Sequence, residues 1–109
     1  QVEHALYCYA LEEVLIEKLR SVMQRMQARD FYDIWYLTEI NGMDLAIYAS
    51  EFKSKCESKG LNPNDFHSKL AQRLPQYKGR WISSMSDQIK NLTDFAQVER
   101  EVMRHLKKL

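Results

Sequence analysis

A lysine interrupts an apolar stripe early in this chain. Leu11, Val14, Leu15, Leu19, Val22, Met23 and Met26 recur at the three-and-four spacing of one helical face, and Lys18 falls seven after Leu11, three after Leu15 and four before Val22. An ammonium sunk between helices costs free energy unless it is paired or runs its stem out to water, a cleft or a ligand. Lys18 is therefore either a boundary residue whose stem covers Leu15 or a cation presented to an anion. A second choice arises at Asp30 and Asp33, which stand three apart and so share a face at the start of the next helix. Asp30 as N-cap with Asp33 in the first turn is a capping arrangement worth about 1 kcal/mol. The same two carboxylates could also serve a binding site. Arg29 beside them can pair with Asp33, a surface contact worth less than about 1 kcal/mol. On spacing alone the boundary lysine and the cap are the simpler accounts.

The elements that carry these residues read as helices throughout. Few glycines and prolines, and abundant Leu, Glu, Lys, Arg, Gln and Met, favour helix because unbranched side chains lose little rotamer freedom there. The opening Val2 to Tyr9 has no helical period, so residues 1–10 read as an extended or strand-like lead-in and 11–109 as one helical domain. After the first helix, Phe31, Ile34, Trp35, Leu37 and Ile40 mark a second, ended at Asn41-Gly42. Asp44 caps a third that closes at Lys59-Gly60. Pro63 opens a fourth with Phe66, Leu70 and Leu74, which stops before Pro75; a fifth runs from Gly79 or Arg80 through Ile89; a sixth carries Phe95, Val98, Val102, Leu106 and Leu109. The expected fold is all-α, a compact bundle of about six short helices.

Composition narrows the function classes. A formal charge of +1 gives no global field that demands nucleic acid or an anionic membrane. No apolar run reaches the roughly 18 to 20 residues of a membrane span, and the first residues lack the pattern of a signal peptide, so a cytoplasmic protein without a membrane partner is expected. Cys8 and Cys56 are lone thiols, read as reduced and buried, and His4, His67 and His105 have no metal-ligand spacing, so no metal is assigned. One local feature bears on partners: no acid occurs between Asp65 and Asp87, while Lys69, Arg73, Lys78 and Arg80 alternate with Tyr77 and Trp81. Basic residues interleaved with aromatics suit RNA through phosphate contacts and base stacking; an ordinary solvated face with Trp81 in the core is the other account.

Taken together, the stretches Leu11-Glu12-Glu13-Val14-Leu15-Ile16-Glu17-Lys18-Leu19 and Arg29-Asp30-Phe31-Tyr32-Asp33-Ile34-Trp35-Tyr36-Leu37 resemble the third and fourth motifs of the AbiEii/AbiGii toxin family of nucleotidyltransferases. Those motifs look like LEEILAEKL and RDLYDLYLL, in the same order. The resemblance implies that Lys18 and a fourth-motif acid, Asp30 or Asp33, reach a shared nucleotide cleft, with Glu17 and Arg29 as supporting neighbours. Asp30 is favoured for chemistry and Asp33 for support. Phosphoryl transfer is largely positioning and charge stabilisation, so a fixed ammonium can hold triphosphate oxygens while a carboxylate orients the attacking hydroxyl.

The same family carries an upstream Gly-Gly/Ser-Thr turn and a D-x-D metal pair, and neither occurs in this sequence. The chain is therefore expected to be the helical C-terminal half of such a toxin, a cut domain, truncation or piece of a split enzyme, inactive without a missing N-terminal nucleotidyltransferase domain. It holds no cofactor itself; Mg²⁺ and a nucleoside triphosphate belong to the complete enzyme. A cognate antitoxin, and tRNA or another RNA, are the further partners the resemblance implies. The rival is a stand-alone helical protein-interaction module in which Lys18 only snorkels and Asp30 only caps. The nucleotidyltransferase expectation requires the Lys18 ammonium and an Asp30 or Asp33 carboxylate to converge on one open concavity.

Overall fold

The stripe on the first helix and the shorter one around Phe31 lie against each other in a computed structural model of the chain. It describes the backbone of residues 2–25, 27–87 and 89–109, and the side chains from Ala10 onward apart from residues 26 and 88. Met26 and the Cys8 side chain, which entered the sequence reading, thus lie outside the described residues. Five α-helices follow in order: α1 Val2–Gln24, α2 Ala28–Trp35, α3 Leu45–Ser58, α4 Phe66–Met85 and α5 Phe95–Leu106. A π-helical turn, Tyr36–Ile40, extends α2, and a 3₁₀ turn, Pro63–Asp65, leads into α4. There is no strand among the described residues.

Local chemistry explains most boundaries. Asp44 caps α3 by accepting from the Ala46 amide at 3.0 Å. Gly60 ends α3 at φ +71°, a left-handed conformation that costs a Cβ-bearing residue dearly, and the Leu61 amide returns to the Cys56 carbonyl at 2.8 Å. Two expectations are corrected. The lead-in expected to be extended over 1–10 is helical from Val2 onward, as the first turns of α1; propensity is a weak prior that an adjoining helix readily overrides. The fourth and fifth helices are one, because α4 runs through Pro75. Phe66, Leu70, Leu74, Tyr77, Trp81 and Met85 hold three-and-four spacing across the proline, so one buried stripe outweighs the single hydrogen bond the imide cannot make. Pro75 itself faces solvent.

The core forms where α1, α2, α4 and α5 meet. Leu15, Leu19, Val22 and Met23 of α1 are buried against Phe31 and Ile34 of α2, whereas Val14 stays 42% exposed at the outer edge of the stripe. Phe31 stacks on Tyr77 with ring centres 5.6 Å apart, and Trp81 meets Phe95 edge-on at 5.1 Å. Full burial of such side chains contributes about 1.5–3 kcal/mol each. Trp35 Nε1 donates to Glu101 at 2.9 Å and Trp81 Nε1 to the Thr93 carbonyl at 2.8 Å, so both indoles are satisfied, α5 is tied to α2 and the segment before α5 is tied to α4. The consequence for function is an α1–α2 corner whose apolar side is packed into the core.

Candidate functional site

Beside its buried stripe α1 carries a second row. Val14, Lys18, Ser21 and Arg25 succeed one another at four, three and four residues, and all of them border a surface groove of about 390 Å³ together with Glu13, Glu17 and Arg20. Arg25 stands just past the last residue of α1, its amide still bonded to the Ser21 carbonyl at 2.9 Å. Three residues on, α2 begins at Ala28, with Gln27 at the N-cap and no side-chain cap. Asp30 is thus the third residue of α2 rather than its cap, which corrects the capping account. Its carboxylate faces α1 instead.

Asp30 is the buried centre of the corner, with its side chain 1% exposed. Its Oδ1 accepts from Lys18 Nζ at 3.2 Å and from Arg25 Nη2 at 2.9 Å, and its Oδ2 accepts from Arg25 Nε at 2.9 Å. A carboxylate taken out of water this completely is tolerable only when its lone pairs are filled, and the bidentate arginine fork fills them well. Asp33, 21% exposed, pairs through Oδ2 with Lys18 Nζ at 2.9 Å and accepts at Oδ1 from Arg29 Nε at 2.9 Å. Lys18 therefore bridges two carboxylates. Burial is the largest single influence on its ammonium and pulls its pKa down, but Asp33 and then Asp30 together outweigh it and leave the pKa raised. The amine is a permanent cation.

Of the residues singled out from sequence, Lys18, Asp30, Asp33 and Arg29 come together here. Arg29 also lies over the Tyr32 ring at 5.9 Å. Glu17 does not join them. It faces the groove and pairs with Lys55 of α3 and with Arg20, each at 2.7 Å, and these partners, Lys55 first, hold its carboxyl below the usual range. Two members of the corner were missed. Arg25 was legible as the continuation of the Lys18 row, seven residues on. Tyr77 had no such signal: its buried hydroxyl has no hydrogen-bond partner, lies in the field of Arg73, Asp30 and Arg25, and is pushed up to about 12 by burial.

The basic segment of α4 is divided by the fold. Tyr77 and Trp81 are 1% and 3% exposed, so neither ring is open to a base. Arg73 is spent on structure, donating to the Met23 carbonyl at 3.1 Å and the Arg25 carbonyl at 3.4 Å and so closing the carboxyl end of α1. Lys69, Arg73 and Arg80 share one side of the helix, while Lys78, at about 100° per residue, falls on the opposite side.

A divalent cation does not fit the corner. All four oxygens of Asp30 and Asp33 already face cationic donors, and the Lys18, Arg25 and Arg29 charges exceed the two carboxylates by one. Mg²⁺ asks for uncommitted oxygen ligands and negative surroundings. Among the described residues no group of three or more His, Cys, Asp or Glu is placed to hold a metal ion. Nor is any described helix long and apolar enough to cross a membrane. The arrangement is suited to an anion that approaches along the groove and meets a preorganised, net positive rim.

The family model described as "Nucleotidyl transferase AbiEii toxin, Type IV TA system" matches residues 2–102. No curated protein and no solved structure matches the chain.

Proposed function

Because the chain belongs to the AbiEii family of nucleotidyl transferase toxins, of type IV toxin–antitoxin systems, we propose that its α1–α2 corner holds the triphosphate side of a nucleotide cleft. Lys18 grips phosphate oxygens, Asp33 orients or deprotonates the attacking hydroxyl, and Asp30 fixes the lysine. The observation that supports this is the convergence of Lys18 on both carboxylates beside an open groove. Asp30 was favoured for the chemistry on sequence; its burial suits it to holding, and Asp33 has the greater access. Charge that develops on transferring phosphate is stabilised best by groups already in place, because nothing need reorganise during the reaction.

The metal-binding carboxylates are assigned to a separate nucleotidyltransferase domain that this helical domain closes against, since the acids gathered here are already neutralised. A nucleoside triphosphate and Mg²⁺ are the ligands of that joint cleft. The cognate antitoxin is the partner that family membership implies. RNA is the proposed acceptor, with Lys69 and Arg80 on one side of α4 left for its phosphates.

The test is transfer of label from an α-labelled nucleoside triphosphate to RNA by this chain combined with the metal-bearing domain. Lys18→Ala should lower transfer roughly 100-fold or more while leaving the fold intact. Undiminished transfer by Lys18→Ala, or transfer by the 109-residue chain alone, would refute the proposal.

A further inference from the structure

We infer that Arg25 is a second phosphate-gripping cation, presented with Lys18 by the buried Asp30, and that the pair reads an oligophosphate rather than a single charge. The inference rests on the nucleotide-cleft proposal and names a residue outside both motifs. Lys18 Nζ and Arg25 Nη2 touch the same oxygen, Asp30 Oδ1, at 3.2 and 2.9 Å, so the two cationic nitrogens stand no more than about 6 Å apart. They start from positions seven residues apart, or about 10 Å along a helix, so their convergence comes from the carboxylate between them.

The Arg25 guanidinium is both held and available. Asp30 engages Nε and Nη2, which leaves Nη1 uncommitted to the carboxylate, and the side chain is 49% exposed on the groove. Its main chain is held too, since Arg73 donates to the Arg25 carbonyl. A guanidinium fixed at one edge presents its remaining N–H groups in a rigid fork that matches phosphate oxygens, whereas a free surface arginine must first lose rotamer freedom. Ser21, between the two cations in the row, adds a hydroxyl to the same groove. Two acids border the groove: Glu17 is answered by Arg20 and Lys55, and Glu13 lies twelve residues before Arg25, about 18 Å along the helix. Adjacent phosphates of one chain can therefore meet Lys18 and Arg25 together.

Metal-free sodium tripolyphosphate is the probe, titrated into the full chain by calorimetry and by the ¹⁵N signals of the arginine side chains. The wild-type chain should bind it, with the Arg25 Nε signal moving in step with the heat. Arg25→Gln should weaken binding about tenfold or more, Arg25→Lys should recover part of the loss, and Arg100→Gln, an exposed arginine on α5, should stay within about twofold. If Lys18→Ala weakens binding but Arg25→Gln does not, the inference fails and the nucleotide-cleft proposal survives. If tripolyphosphate does not bind the wild type, both fail. An equal loss in Arg100→Gln would overturn the inference by showing diffuse charge attraction. An unmoved Arg25 signal in the wild type overturns it without recourse to any variant.

Discussion

Removing the Asp30 carboxylate tests whether the α1–α2 corner is held by an ion cluster or by a helix cap. Asp30→Ala deletes three charge-assisted hydrogen bonds around a group that is almost fully buried. Breaking a buried pair costs about 3–5 kcal/mol when the surviving charge is stranded. Here the survivors, Lys18 at 23% and Arg25 at 49% exposed, can turn to water, so the expected loss is smaller, about 2–3 kcal/mol. At 4–8 °C per kcal/mol for a domain of this size, that lowers the melting temperature by roughly 10–20 °C. A lost cap would lower it as well, so the single variant does not decide the matter. A double-mutant cycle does, with stability taken from urea unfolding followed by circular dichroism. If Arg25 and Asp30 act as a pair, Asp30→Ala costs about 1 kcal/mol less in an Arg25→Ala background. Coupling below about 0.5 kcal/mol would mean that Asp30 acts on its own helix and that its ion pair with Arg25 does not hold the corner.

Two further outcomes follow from the same structure. Tyr77→Phe should leave stability unchanged or raise it by up to about 1 kcal/mol, because it removes a buried hydroxyl that bonds to nothing while keeping the stack on Phe31; a loss above about 1 kcal/mol by the same unfolding assay would show a hidden partner. Acid should destabilise the fold through Glu17, Glu39 and Asp44, whose pKa values are lowered by Lys55, by His105 and by the Ala46 amide respectively as the largest causes. A depressed carboxyl stabilises fully above its unfolded value and loses that contribution as pH falls through its folded one, so melting temperature should drop below about pH 4 and the drop should shrink in salt. A flat profile from pH 5 to pH 3 would contradict those ion pairs.

What the sequence disclosed depended on whether the cause was local. Asp44 as a cap and Gly60 as a left-handed stop were legible because the partner amide or carbonyl lies within five residues. Pro75 misled because the pre-proline rule is local while the stripe from Phe66 to Met85 is not, and only burial against α1 and α2 decides between them. Asp30 was of the right type for a cap, yet its role was fixed by Lys18 and Arg25, which reach it only after the chain has turned. Lys18 was conspicuous because it broke a stripe; Arg25 obeyed the same row and drew no notice. Tyr77 and Trp81 looked suited to base stacking because alternation with basic residues says nothing about which side of a helix is covered. Arg73 could not be assigned from sequence at all, since the carbonyls it closes lie 48 and 50 residues away.

Stability alone does not account for an ion cluster at this corner. Buried ion pairs can often be replaced by apolar side chains of similar volume with no loss, or with a gain, in stability. Leu15, Leu19 and Val22 show that α1 could have continued its stripe through position 18. A purely structural pair would also be expected to close on itself, one cation to one anion. Instead Lys18 is shared between two carboxylates, each of which holds an arginine besides, and the positive charges are in excess by one. Two of the three cations, Lys18 and Arg25, border an open groove, and the third, Arg29, is exposed beside them. An incoming phosphate would balance the charge without displacing any of the bonds already made. The cost of desolvating Asp30 is then the condition for holding two cations close together and still before the ligand arrives, which is what transfer chemistry asks of groups that must not rearrange during the reaction.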